Sequence, residues 1–242
     1  MRRAFIAFFL LVLALGAAAQ RAHGPVRVLF IGNSLTASTD VPGRLAKLAR
    51  AMGREVVVDA VTANDFSLED HWNDGRAVAR LGGKWDFVVL QQGPSSRPES
   101  RALLMEYARR FATPIRAAGA RPVVFMAWPE ANRVQDFPEV IRSHRLAAEA
   151  LDAVLAPVGE AWLRALSADR RLRLHADGLH ATSIGGDLAV LVLWFALFPA
   201  GPQEFDDAYV ERISKALALE RTSRDLLVDA ATRAVDEPMV LK

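Results

Sequence analysis

The sequence contains no cysteine. That excludes disulfide staples, a thiol nucleophile and any thiolate metal site. Gly32 begins neither a G-x-G-x-x-G nor a Walker pattern, so no Gly-rich phosphate loop is present. No internal repeat and no low-complexity stretch follows the first residues. An excess of one charge is also missing: 30 Lys and Arg stand against 28 Asp and Glu. Without Arg2 and Arg3, which sit in an apolar leader, 28 basic residues face 28 acidic ones. Such a balance gives no electrostatic reason to expect nucleic acid or an anionic membrane as partner.

What is there suits a globular enzyme. The chain has 242 residues, 52% of them apolar and 24% charged, enough for a sizeable core. Residues 1–19 have the pattern of a secretory signal peptide: Arg2 and Arg3, an apolar run from Ala4 to Gly16, then Ala17-Ala18-Ala19 before Gln20. The run is short for a span, which needs about 20 apolar residues, so cleavage rather than a lasting membrane anchor is expected. The mature chain, 20–242, is then periplasmic or extracellular and reads as one domain.

Val26 to Ile31, Glu55 to Val61, Asp86 to Leu90 and Arg121 to Ala127 are β-rich apolar runs. Helical patterns follow Asp40 and cover 99–118, 137–155, 159–167 and 182–198. A short fifth strand is expected at Ala156-Pro-Val-Gly159, and two amphipathic helices within about 203–237. Strands alternating with helices predict an α/β fold: three layers, α/β/α, around a mainly parallel sheet of about five strands. Ligands in such sheets bind beyond the carboxyl ends of the strands. The residues leaving those ends are Asn33 and Ser34, Asn64 and Asp65, Gln91 and Gln92, and Trp128.

Ser34 follows the first strand directly, after Gly32-Asn33. A hydroxyl there needs a base to become a nucleophile. Asp177-Gly178-Leu179-His180 offers one, since an imidazole can take the proton and a carboxylate three residues earlier can fix its tautomer. Each segment alone is a weak signal. Together, in this order and flanking context, the chain resembles the SGNH (GDSL-like) hydrolase family from Val26 to about Leu197.

The resemblance implies a flavodoxin-like SGNH fold with Ser34 as nucleophile, His180 as base and Asp177 as its orienting partner. It also implies an oxyanion hole from the Ser34 N–H, a backbone N–H after strand two and a side-chain donor after strand three. The usual Gly after strand two is missing, which leaves Asn64 or Asp65 to serve. The usual Gly-x-Asn is replaced by Gln91-Gln92-Gly93-Pro94-Ser95. Alignment on Gly93 puts Ser95 in the Asn position, whereas a subgroup resembling carbohydrate acetylesterases points to Gln92, the preferred donor. Asn33, Asp65, Gln91, Ser95 and Trp128 are expected around the substrate. His71 is expected at the surface or rim, and His144 and His175 have no evident partners. No cofactor or metal is required.

The expected activity is hydrolysis of a carboxylic ester on a small molecule or carbohydrate, with acetylated extracellular polysaccharide preferred. The alternative is a weakly active or non-catalytic saccharide-binding module.

Overall fold

The computed structural model describes residues 24–201 and 205–240. The apolar leader and its expected cleavage site lie outside the described residues. Five strands form one parallel sheet in the order β2-β1-β3-β4-β5: β1 Val26–Gly32, β2 Val56–Thr62, β3 Phe87–Leu90, β4 Arg121–Phe125 and β5 Val154–Ala156. In chain order the helices are α1 Ser34–Ala37, α2 Val41–Ala51, α3 Leu68–Asp74, α4 Arg76–Arg80, α5 Pro98–Ala117, α6 Phe137–Ala150, α7 Val158–Ala168, α8 Ser183–Leu197, α9 Asp207–Leu217 and α10 Arg221–Asp236. This is the expected α/β/α architecture, with the strand order of flavodoxin-like sheets.

Side chains that alternate along the strands build a core on each face. Val28 and Phe30 of β1 pack with Val89, Val123 and Phe125 beneath α2 and α8. Leu29 and Ile31 face the other way, with Val88, Leu90 and Val124, beneath α3 and α5. Helix α8 is buried nearly all round because α2, α7 and α10 cover it. No described helix is long and apolar enough to cross a membrane.

The fifth strand departs from the sequence expectation. Helix α6 stops at Ala150, and Asp152 turns the chain with φ +45°. Val154–Ala156 then pairs with β4, and Pro157 closes the strand before α7. The apolar run was continuous across the turn, so periodicity alone could not divide it. The strand order reverses between β1 and β3. That places the exits of β1 and β3 side by side, with Ser34 and the Gln91-Gln92 pair at one mouth.

Candidate active site

Ser34 is the first residue of α1, separated from the end of β1 by Asn33 alone. The turn is tightly held. Asn33 Oδ1 accepts from the Leu35 N–H at 3.0 Å, and the Asn33 N–H donates to Gln91 Oε1 at 2.8 Å. Gly32 is required by space: a Cβ there would lie 2.5 Å from Gln91 Oε1 and 2.8 Å from Thr36 Oγ1.

Ser34 is half-buried and lines a cleft of about 440 Å³. Asn33, Asp65, Phe66, Gln92 and Ser95 line the same cleft, as does Leu179 from the segment carrying Asp177 and His180.

Asp177 and His180 meet directly. His180 Nδ1 donates to Asp177 Oδ2 at 2.7 Å. Asp177 Oδ1 accepts from the N–H groups of Leu179 at 3.0 Å and His180 at 2.8 Å. Gly178, with φ +92°, supplies the left-handed residue that this short turn demands. The His180 imidazole and these N–H groups hold the Asp177 carboxyl well below the usual carboxylate range. A carboxylate can only accept, so the proton sits on Nδ1 and the Nε2 lone pair is free to act as a base. Ser34 Oγ makes no hydrogen bond to His180 among the described residues. Such contacts commonly close only when substrate is bound.

The loop is strapped to the exit of β4. Trp128 Nε1 donates to Leu179 O at 2.9 Å, and the Ala131 N–H donates to Gly178 O at 2.8 Å. His175 Nε2 lies 3.0 Å from Pro129 O, and His175 pairs with Ala181 in an antiparallel bridge. Trp128 itself is fully buried and stacks on Trp162, with ring centroids 4.0 Å apart. This corrects the expectation that Trp128 forms a wall of the substrate pocket. It lies behind the loop, because its indole face is taken by Trp162.

Trp128→Phe removes the indole N–H, orphans the part-buried Leu179 carbonyl and trims the buried ring, a loss of about 1–3 kcal/mol. Denaturant titration is expected to show that loss as a lower midpoint. A midpoint equal to the parent's would contradict the strap.

Other expectations also change. Gln91 is not at the substrate surface. It is 1% exposed, and its Nε2 donates to Asn33 Oδ1 and Gln92 O while Oε1 accepts from Asn33 and Thr36. Gln92 does reach the cleft, but its amide is committed. Nε2 donates to Ser95 Oγ at 2.9 Å and Ser100 O at 3.4 Å, while Oε1 accepts from the Leu68 N–H. Ser95 in turn donates to Gly93 O from a left-handed backbone, φ +55°. The carboxamide thus braces the loop rather than presenting free hydrogens to an oxyanion.

On the neighbouring loop, Asp65 rather than Asn64 lines the cleft. It adopts φ +61°, the conformation a Gly would take without strain and one that Asp tolerates better than most residues. Neither the Ser34 nor the Asp65 backbone N–H has a partner among the described residues.

His71 is not at the rim but fully buried, with Nε2 2.7 Å from Gly32 O. A sequence signal existed for this. Ser67-x-x-Asp70 is a capping box, and it starts a helix that turns Leu68 and His71 inward. His144 is also buried, its Nδ1 bonded to Val140 O, with burial pushing its pKa down to about 4.

No family model matches the chain, and no curated protein matches it by sequence. Solved structures do resemble it. A DUF4886 family protein from Bacteroides uniformis has a TM-score of 0.70 at 18% identity, over 90% of this chain and 98% of its own. A protein from Slackia heliotrinireducens, provisionally described as an SGNH hydrolase, is 30% identical with a TM-score of 0.61, over 72% of this chain and 100% of its own. An acetyl-xylooligosaccharide esterase from Geobacillus, seen as an arginine-to-alanine variant, has a TM-score of 0.58 at 15% identity, over 74% of this chain and 98% of its own. At that identity the last likeness is one of fold.

Proposed function

Because the chain belongs to the SGNH hydrolase family, we propose that it is a serine esterase working through an acyl-enzyme. The observation that carries the reading is the Asp177–His180 pair, its Nε2 free, on a loop whose Leu179 shares a cleft with Ser34. His180 takes the Ser34 proton as Oγ attacks the ester carbonyl, then returns it to the departing alkoxide. Water repeats the sequence on the acyl-enzyme and releases the acid. The N–H groups of Ser34 and Asp65 stabilise the oxyanion, each donor being worth roughly 3–4 kcal/mol in the transition state.

The cleft is open and combines polar side chains, among them Ser67, Ser96 and Arg97, with the apolar Leu35, Phe66, Leu103 and Leu179. This suits a small acyl group on a hydrated alcohol, and acetyl esters of carbohydrates are the preferred substrate. The leader of residues 1–19 supports export to the periplasm or beyond, with a carbohydrate or small ester as the only partner proposed.

The test is active-site labelling with a fluorophosphonate, which forms a stable phosphonyl ester with an activated serine. One adduct is expected, on the peptide containing Ser34, with parallel loss of p-nitrophenyl acetate hydrolysis. An unlabelled protein that binds acetylated xylo-oligosaccharide without cleaving it would instead establish the saccharide-binding module.

A further inference from the structure

Two loops must hold their backbone donors at a fixed separation if one oxygen is to accept from both. One carries Ser34 and the other carries Asp65. They are tied at three points. The Ala63 N–H donates to Gly32 O at 3.2 Å. Asn33 Nδ2 donates to Phe66 O at 3.0 Å. His71 Nε2 lies 2.7 Å from the same Gly32 carbonyl. That carbonyl is two residues from the nucleophile.

His71 is an expensive residue to place there. It has no exposure at all, and its Nδ1 has no hydrogen-bond partner. An orphaned buried polar nitrogen destabilises a fold, and an apolar side chain would fill the space without that cost. Burial also pushes its pKa down, which keeps the ring neutral. Gly32 O only accepts, so the single proton must sit on Nε2. The Phe66 ring meets the imidazole edge-on, with centroids 5.1 Å apart, and fixes its plane. The ring thus reaches from the first turn of α3 to the end of β1, with one directed hydrogen bond as its polar output.

We propose that His71 is a positioning residue that locks the Ser34 turn to the Asp65 loop, so that their two N–H groups converge on the oxyanion. The role rests on the esterase reading above. His71 touches no reacting atom. It acts through Gly32, and misplacement of one donor weakens the transition state more than the bound ester.

The experiment compares kcat and KM for p-nitrophenyl acetate in the parent, His71→Leu and His71→Gln, with Ser34→Ala alongside. His71→Leu is expected to lower kcat roughly 100-fold with KM unchanged. His71→Gln, whose amide nitrogen reaches close to the position of Nε2, is expected to recover most of that loss. A folded His71→Leu with parental kcat overturns the proposal, as does an equal loss in both variants.

Should His71→Leu fail to fold, nitrogen NMR of the parent decides. The His71 Nε2–H resonance is expected to shift when Ser34 is phosphonylated, and an unmoved resonance overturns the role. Hydrolysis at the parental rate in Ser34→Ala sinks the esterase reading itself. Ser34-dependent hydrolysis indifferent to His71 sinks only the positioning.

Discussion

Ser34→Ala is expected to lower kcat for p-nitrophenyl acetate by roughly 10⁴–10⁶-fold, with the fold intact. The side chain is half-buried at the edge of a cleft, so losing its hydroxyl removes the nucleophile and little packing. Residual activity would come from the backbone donors, which the substitution leaves in place. Asp177→Asn should cost less, roughly 10²–10⁴-fold, because the Asp177 side chain is 59% exposed and water screens its charge. Its effect would come through the tautomer. An Asn at that position can turn its NH₂ toward Nδ1, which moves the ring proton to Nε2 and disables the base.

The Asp177 carboxyl is held below the ordinary carboxylate range, so the sign of its pH effect is fixed. A depressed folded pKa gives a contribution that is complete above the unfolded value, about 3.9, and fades only as pH falls below it. Asp177 therefore stays ionised, and keeps its hold on His180, throughout the neutral and mildly acidic range. Stopped assays from pH 4 to pH 8 would check this. Equal activities in the parent and Ser34→Ala at every pH would remove the nucleophile assignment altogether.

The sheet was legible because its signal is strong and local. Val28 to Gly32 of β1 is apolar on both faces, as a central parallel strand must be, and β1 lies between β2 and β3. The Asp177–His180 contact was legible for a related reason. A carboxylate, a Gly and an imidazole within four residues leave few ways to fold the turn.

Features that depend on which face meets which neighbour were harder to read. Trp128 at a strand exit looked like a pocket wall, and only the position of Trp162, far along the chain, turns it into the backing of the loop. Gln91 and Gln92 are identical in type and adjacent in sequence, yet one is wholly internal and the other reaches the cleft. Strand alternation separates them, and the hydrogen-bond partners that fix each role lie in α1, α3 and α5. His71 hid behind Glu69 and Asp70, whose charges gave the segment a surface look. Ser95 and Asp65 share a left-handed backbone that composition cannot announce.

Glu160→Ala is expected to be the most damaging substitution for stability, at about 3 kcal/mol or more. Glu160 lies on α7 with its side chain 1% exposed. Oε1 accepts from Arg164 at 3.0 Å and from the Met239 N–H at 2.7 Å, while Oε2 accepts from Arg145. The two arginines also donate to the Met239 and Glu237 carbonyls, so one carboxylate organises the clamp on the chain beyond α10. Removing it leaves two partly buried guanidinium groups unpaired and releases that segment, a large fraction of the 5–15 kcal/mol that usually separates folded from unfolded.

Glu160→Gln keeps an acceptor for Met239 and should lose less than Ala. Urea titration at neutral pH reads the difference as a lower midpoint, and a shift worth under about 1 kcal/mol for Ala would mean that the pairs only offset their own desolvation. Hydrolysis measured well below the unfolding transition should be nearly unchanged. Trp162, half a turn along the same helix, keeps its stack on Trp128 and with it the support of the His180 loop.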